Sequence, residues 1–281
     1  MNDSQPLNQD MSVQNSIIII NHNAKEKLVK LLANLAVGEA VTCEFIVVDN
    51  GSFDGSAELV QEDFPTIRLI RLEDNRGFSV AANRGFAEAV GQIVIFCHAD
   101  IVTESHTLIE LADRIREGAA NRVVAAVPRL IDANRRDLPL VGPLPGLGRA
   151  MGDMIQPTAS RGCEPAALDH VADHEFAQMP SVAIDAEVLH KFGGFDQRFF
   201  LYYADADLCA RLHQKSLRIA IRRDLPVVHT GADPSRPLPA SLARIMRKDL
   251  LRFVEKHHGG LRSTALGIQA KLIGAVNKEA I

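Results

Sequence analysis

At 281 residues, with 47% hydrophobic and 23% charged residues, the chain can bury the core of one large α/β domain plus a small appendage, and its composition excludes collagenous, disordered and disulfide-stapled classes. A formal net charge of -4 supplies no broad basic field, which argues against nucleic acid as the main partner. Cys43, Cys97, Cys163 and Cys209 are scattered, with no CxxC pair and no zinc-ligand spacing, so a reducing cytoplasm is the expected setting.

Residues 1–15 are polar, lack the basic and apolar regions of a signal peptide, and are expected to form a disordered tail. Short β-branched runs then alternate with helical patterns, the rhythm of βαβ units and a mostly parallel sheet covered by helices on both faces. The runs are Ser16–Ile20, Phe45–Val48, Ile67–Ile70, Ile93–Phe96 and Val123–Val127. Between them, Glu26–Leu35, Ser56–Phe64, Val80–Ala89 and Thr107–Glu117 repeat apolar residues every three or four positions. Ser105 stands where a helix N-cap belongs, as do Ser52 or Asp54 before the second helix.

Periodicity fails from Asp132 to Pro180, where Pro and Gly accumulate, and a long loop or insertion is expected. Order returns with a strand over Ser181–Asp185, a short helix from Ala186, a break at Gly193-Gly194, a helix near Asp207–Lys215, and strands near Leu217–Ile221 and Val227–His229. Beyond Pro239 the chain reads as helix to its end. No apolar run approaches the roughly 18 residues of a membrane span. The division is a tail over 1–15, a main domain over 16–235 with halves 16–130 and 131–235, and a helical C-terminal appendage over 236–281.

Ligands of open α/β sheets sit at the carboxyl ends of strands, so polar residues just past apolar runs are the first candidates. Three such places exist: Asn21-His22-Asn23, Asp49-Asn50-Gly51-Ser52 and His98-Ala99-Asp100. Each alone is also an ordinary turn; together at one sheet edge they point to a site.

The motifs just quoted, with Ile17–Asn23, Val47-Val48-Asp49-Asn50-Gly51-Ser52, Asp54-Gly55-Ser56, Asn75-Arg76-Gly77-Phe78 and Asn83-Arg84-Gly85, resemble family 2 glycosyltransferases, closest to the rhamnosyltransferase-like branch. The likeness continues through Gly193-Gly194-Phe195-Asp196, Arg198-Phe199-Phe200-Leu201-Tyr202, Asp205-Ala206-Asp207-Leu208-Cys209 and Val227-Val228-His229 to Lys256-His257-His258-Gly259. The resemblance implies a GT-A Rossmann-like fold and an inverting, metal-dependent hexosyltransferase. Such an enzyme moves sugar from a nucleotide-diphosphate donor to the hydroxyl of a glycan or lipid-linked glycan in polysaccharide synthesis. It places Asp49 on the nucleotide base beside Asn21, His22 and Asn23. Asn50, Ser52, Asn75, Gly77, Asn83, His98 and Ala99 complete the nucleotide-sugar side.

The family's metal motif carries carboxylates at both ends, and only the last remains here, as Asp100. The resemblance makes Asp100 the ligand of Mn2+ or Mg2+ against the donor diphosphate, with His229 reaching the same ion. Two imidazoles, His98 and His229, beside one carboxylate favour a softer ion than Mg2+, so Mn2+ is the expected preference. The general base that takes the acceptor proton falls on Asp205, with Asp207 second. A family Glu is replaced by Ala204.

Two other readings compete. The lost carboxylates leave room for a catalytically degenerate nucleotide-sugar-binding or scaffold protein. A sugar-phosphate nucleotidyltransferase would need a Gly-rich basic loop after the first strand, which Asn21-His22-Asn23 is not. The C-terminal stretch from Arg236 holds nine Lys or Arg against three Asp or Glu, and Leu242, Ile245, Met246 and Leu250 form an apolar stripe. Residues 240–258 are therefore either a helix packed on the domain or a peripheral contact with the inner face of the cell membrane.

Overall fold

The computed structural model describes residues 13–35, 42–155, 157, 163–231 and 238–268. In chain order the elements are β1 (Asn15–Asn21), α1 (Lys25–Asn34), β2 (Cys43–Asn50), α2 (Ser56–Asp63), β3 (Arg68–Leu72), α3 (Phe78–Phe86), β4 (Ile93–His98), β5 (Ile101–Val102) and α4 (Ser105–Gly118). There follow β6 (Val123–Ile131), β7 (Val141–Pro143), α5 (Leu147–Ile155), β8 (Glu175–Ala177), β9 (Ser181–Asp185), α6 (Ala186–Lys191), α7 (Ala204–His213), β10 (Arg218–His229) and α8 (Ala240–His258).

Eight strands form one sheet in the order β3-β2-β1-β4-β9-β6-β10-β5. The pairs β1–β2, β1–β4, β2–β3 and β6–β10 are parallel, while β9 runs against both β4 and β6, and β5 against β10. Six strands therefore point one way. Their carboxyl ends share one edge, and that edge carries Asn21, Asn50, His98 and His229.

Strand side chains alternate between faces, and this divides the core in two. Ile17, Ile19, Val47, Ile95 and Cys97 pack under Leu28, Leu31 and Leu32 of α1, Val60 of α2, and Leu108, Leu111 and Ile115 of α4. Ile18, Ile46, Val48, Val94 and Phe96 face Phe78, Ala81, Ala82 and Phe86 of α3, with Leu208 and Leu212 of α7 and Met246, Leu250, Phe253 and Val254 of α8. Each fully buried Leu, Ile or Phe contributes about 1.5–3 kcal/mol.

Several expectations change. The stretch from Asp132 to Pro180 holds β7, β8 and α5, and it buries Leu138, Leu140, Ala150, Met154, Val171, Phe176 and Met179 in the α3/α8 core. Three-residue strands and Pro/Gly-rich turns erase the periodicity that would announce such elements. Arg161 and Gly162 lie outside the described residues. The N-terminal stretch over 1–12 also lies outside them, and Asn15, assigned to the tail, is buried within β1.

At α4 the cap residue is Glu104, and the Ser105 hydroxyl instead donates to the Leu35 carbonyl. At α2 the cap residue is Gly55, so neither Ser52 nor Asp54 caps it; the Asp54 carboxylate, one residue earlier, accepts from the Ser56 amide. The C-terminal helix stops at Gly259, whose φ of 96° breaks it, and a second helical stretch covers 260–268. Residues 269–281 lie outside the described set.

The apolar stripe of α8 is not free for a bilayer. Met246 and Leu250 are buried in the core, and Leu242 and Ile245 line the cavity described below. The boundary at 235/236 thus separates α8 from a core it completes. Among the described residues no helix is long and apolar enough to cross a membrane.

Candidate functional site

A cavity of about 850 Å³ opens at the carboxyl edge of the sheet. Ile20, His22, Asn23, Asn50, Asn75, Gly77, His98, Ala99 and Asp100 line it, as expected of strand-end residues. Alternation decides which neighbours reach it. Ile20, Asn50 and His98 sit on the α3/α8 face of their strands, whereas Asn21 and Asp49 point to the opposite face.

Asn21 and Asp49 accordingly do not line the cavity. Asp49 is 2% exposed, and its oxygens accept from the Asn21 amide at 2.9 Å, the Ser52 backbone at 3.0 Å and the Ser56 hydroxyl at 3.4 Å. Asn21 also donates to Ser56 and Ser52. The Ser52 hydroxyl accepts from the Asn23 backbone at 2.9 Å. This network ties the β1 and β2 loops together behind the wall, and a carboxylate with its lone pairs so engaged has little left for a base. Beside this network, Asn50 and His22 do line the cavity, and His22 Nδ1 donates to the Asn50 carbonyl at 2.9 Å.

Asn50 is itself fixed by the loop after β3. Its amide donates to Asn75 Oδ1 at 3.1 Å, and its Oδ1 accepts from the Arg76 backbone at 2.9 Å. Gly77 has φ 83°, and a Cβ there would fall on the Phe200 carbonyl oxygen, which accepts a hydrogen bond from the Phe78 amide at 2.6 Å. Both the conformation and the close approach demand glycine. Gly77→Ala is expected to lower stability by about 1–3 kcal/mol, read as a fall in the urea midpoint at unchanged slope.

Asn83 is not at the cavity. Its amide donates to the Phe195 carbonyl at 2.7 Å, and its Oδ1 accepts from the Phe195 backbone at 2.9 Å. An Asn inside α3 thus pairs with the buried Phe195 backbone as a strand would, away from the cavity where the resemblance places it.

His98, Asp100 and His229 place one candidate ligand atom each within 4.8 Å of one another. His229 Nε2 lies 3.3 Å from Asp100 Oδ1, yet Asp100 Oδ1 and His229 Nδ1 are buried without an aligned hydrogen-bond partner among the described residues. A Cβ at Gly231 would fall on Asp100 Oδ2, so glycine lets the chain after β10 close on the carboxylate. Buried acceptors left without partners, beside an ionised carboxylate, fit a divalent cation.

Electrostatics agree. Burial alone would raise the Asp100 pKa, but His229, His98 and Lys27 together hold it well below the usual carboxylate range. Burial pushes the His98 pKa down to about 4, against the pull of Asp100, so the imidazole is neutral and able to ligate at neutral pH. The ring packs edge-on against Phe78, with centroids 5.3 Å apart.

Reading the sequence missed the cations and the lid of this cavity. Lys25 and Lys27 on α1 line it, with Lys27 Nζ 3.8 Å from Asp100 Oδ2. Asp54 lines it too and accepts from the Lys25 backbone at 2.9 Å. Phe200, Leu201, Leu242 and Ile245 close the side. Lysines immediately after Asn21-His22-Asn23 were the available signal.

The two aspartates of α7 divide. Asp207 is fully buried, and its oxygens meet Arg211 at 2.9 Å, His257 at 2.8 Å and Lys256 at 2.7 Å. Both oxygens are thus engaged in an ion network that joins α7 to α8. Asp205 is half-buried in the first turn of α7, its Oδ1 held by the Ala206 amide. Neither aspartate lines the cavity; Asp205 follows the lining residue Leu201 by four positions in the chain. Desolvation raises the Asp205 pKa to about 6.

The comparisons with known proteins agree with this geometry. Residues 16–162, just over half of the chain, match the model of Glycosyl transferase family 2. The N-acetylglucosaminyl-diphospho-decaprenol L-rhamnosyltransferase of Mycobacterium tuberculosis (strain CDC 1551 / Oshkosh) is 23% identical over 262 residues, 87% of this chain and 85% of that protein. Uncharacterized glycosyltransferase YfnE of Bacillus subtilis (strain 168) is 27% identical over 252 residues, 76% of this chain, which spans 64% of YfnE.

Among solved structures, the mannosyltransferase PcManGT from Pyrobaculum calidifontis, in complex with GDP-Man and Mn2+, superposes with a TM-score of 0.54 at 15% identity, covering 96% of this chain and 79% of that one. S. aureus TarS 1–349 in complex with UDP-GlcNAc gives 0.55 at 17% identity over 86% of this chain and 66% of that one. The fold is the GT-A fold, and the chain belongs to glycosyltransferase family 2.

Proposed function

We propose that the chain transfers a hexosyl unit from a nucleotide-diphosphate sugar to an acceptor hydroxyl with inversion at the anomeric carbon, in the synthesis of a cell-surface glycan. The observation that carries this reading is the cluster of His98, Asp100 and His229, of which His98 and Asp100 line the strand-end cavity together with Lys25 and Lys27. His22, Asn23, Asn50 and Asn75 offer hydrogen bonds to the nucleoside. Lys25 and Lys27 supply charge for the diphosphate.

Asp100, His98 and His229 would hold Mn2+ or Mg2+, and the ion would neutralise charge on the departing diphosphate. Asp205 accepts the proton of the acceptor hydroxyl as its oxygen bonds to the anomeric carbon. The bond from that carbon to the diphosphate breaks with its electrons, and the nucleoside diphosphate leaves. Imidazole ligands favour Mn2+ over Mg2+.

The rhamnosyltransferase relative, named for a decaprenol-linked sugar, supports a rhamnose donor and a lipid-linked acceptor, used at the inner face of the membrane.

Calorimetry with UDP-, dTDP- and GDP-sugars, each with Mn2+, with Mg2+ and with neither, tests the reading. One nucleotide class is expected to bind with metal dependence, more tightly with Mn2+, and Asp100→Ala is expected to lose the metal-dependent part. Silence across the panel would put a degenerate, non-catalytic protein in its place.

A further inference from the structure

We propose that Lys27 is the resident counter-cation of Asp100: it holds the carboxylate while the donor is absent and passes to the donor diphosphate when a divalent ion takes Asp100. The inference rests on the metal and donor reading above, and it predicts that ion and diphosphate bind cooperatively.

The geometry is specific. Lys27 Nζ is 3.8 Å from Asp100 Oδ2, an ionic distance rather than a locked hydrogen bond. No other carboxylate lies within ion-pair distance of Lys27 among the described residues. Asp54 and Glu26 are the other acids at the cavity: Asp54 is engaged by the Lys25 backbone and by Ser56, and Glu26 is exposed on α1 with no ion pair to Lys27. The Lys27 side chain is 46% exposed and Asp100 24%, so the ammonium stands at the mouth and the carboxylate at the floor.

A lysine is a compact charge on a flexible stem and can swing without disturbing the helix that carries it. A divalent ion entering the His98, Asp100 and His229 cluster must displace that ammonium or sit beside it, and like charges a few ångströms apart repel. A diphosphate would remove the conflict, because its negative charge would offset both the ion and the Lys27 ammonium. Donor-free enzyme is thereby biased against the metal, and donor-bound enzyme toward it.

The test is calorimetric titration of Mn2+ alone, and of Mn2+ with saturating UDP, dTDP or GDP, into wild type, Lys27→Met, Lys30→Met and Asp100→Ala. Met is a good helix former at an exposed α1 position, and Lys30, exposed on the same helix and away from the cavity, controls for lost charge. Wild type is expected to bind Mn2+ about tenfold more tightly with the effective diphosphate than without it. In Lys27→Met, Mn2+ alone is expected to bind about tenfold more tightly than in wild type, and the diphosphate enhancement to fall below about threefold.

Lys27→Met behaving like wild type and Lys30→Met in both arms, or an absence of enhancement by all three diphosphates, would overturn the role of Lys27 and leave the metal site standing. Asp100→Ala binding Mn2+ as wild type does, or wild type binding none in any arm, would overturn the metal site itself and the inference with it.

Discussion

Asp205→Asn is expected to lower the transfer rate by roughly 10²–10⁴-fold while leaving binding of the nucleotide sugar unchanged. Asn keeps the size of the side chain and the acceptor of the Ala206 amide bond, but it cannot take a proton at neutral pH. The pH profile carries the finer test. Desolvation lifts the Asp205 pKa to about 6, so the wild-type kcat/KM is expected to rise tenfold per pH unit below about 6 and to level above it.

Stability should move the other way. A carboxyl whose pKa is raised on folding stabilises fully below its ordinary value of 3.8, and that contribution is lost as pH rises through about 6. At pH 7.5 the ionised Asp205 is therefore a cost that Asn removes. Each kcal/mol so recovered should raise Tm by about 2–4 °C, a trade of stability for activity. A variant within tenfold of wild-type turnover would show that another group takes the proton.

The strands and the site edge were readable because buried parallel strands are short apolar runs and their polar successors fall at the ligand end of the sheet. His22, Asn23, Asn50, His98, Ala99 and Asp100 were found that way, Asn75 and Gly77 came from the family resemblance, and the cavity gathers all of them. Local pattern could not say which face of the sheet holds the cavity. Adjacent residues on one strand diverge, so Asn50 reaches the cavity while Asp49 is taken up by Asn21, Ser52 and Ser56.

Contacts distant in sequence were equally closed to inspection. Lys27 looks like the solvated face of an amphipathic helix, and Asp207 like an acid suited to a helix N-terminus. Only the folded chain brings Asp100 to the first and Arg211, Lys256 and His257 to the second. The stretch from Asp132 to Pro180 concealed β7, α5 and β8, since strands of three residues are too short for alternation to register.

Asp249→Ala is expected to be the most damaging change outside the cavity. Asp249 sits in the basic helix α8, is fully buried, and accepts from the backbones of Phe200 at 3.1 Å, Leu201 at 2.9 Å and Tyr202 at 3.1 Å. Arg252 donates to it at 2.9 Å. Removing the carboxylate leaves three consecutive amides and a guanidinium short of an acceptor, which costs about 3–5 kcal/mol of stability. The loss extends to function because those amides belong to the segment that places Phe200 against Gly77, lines the cavity with Phe200 and Leu201, and ends three residues before Asp205 of α7. Asp249→Asn keeps one acceptor oxygen and should fall between. Urea unfolding measures the stability, and donor titration of the folded fraction measures the cavity. A stable Asp249→Ala enzyme with unaltered donor affinity would mean that the 200–202 segment holds its shape without α8.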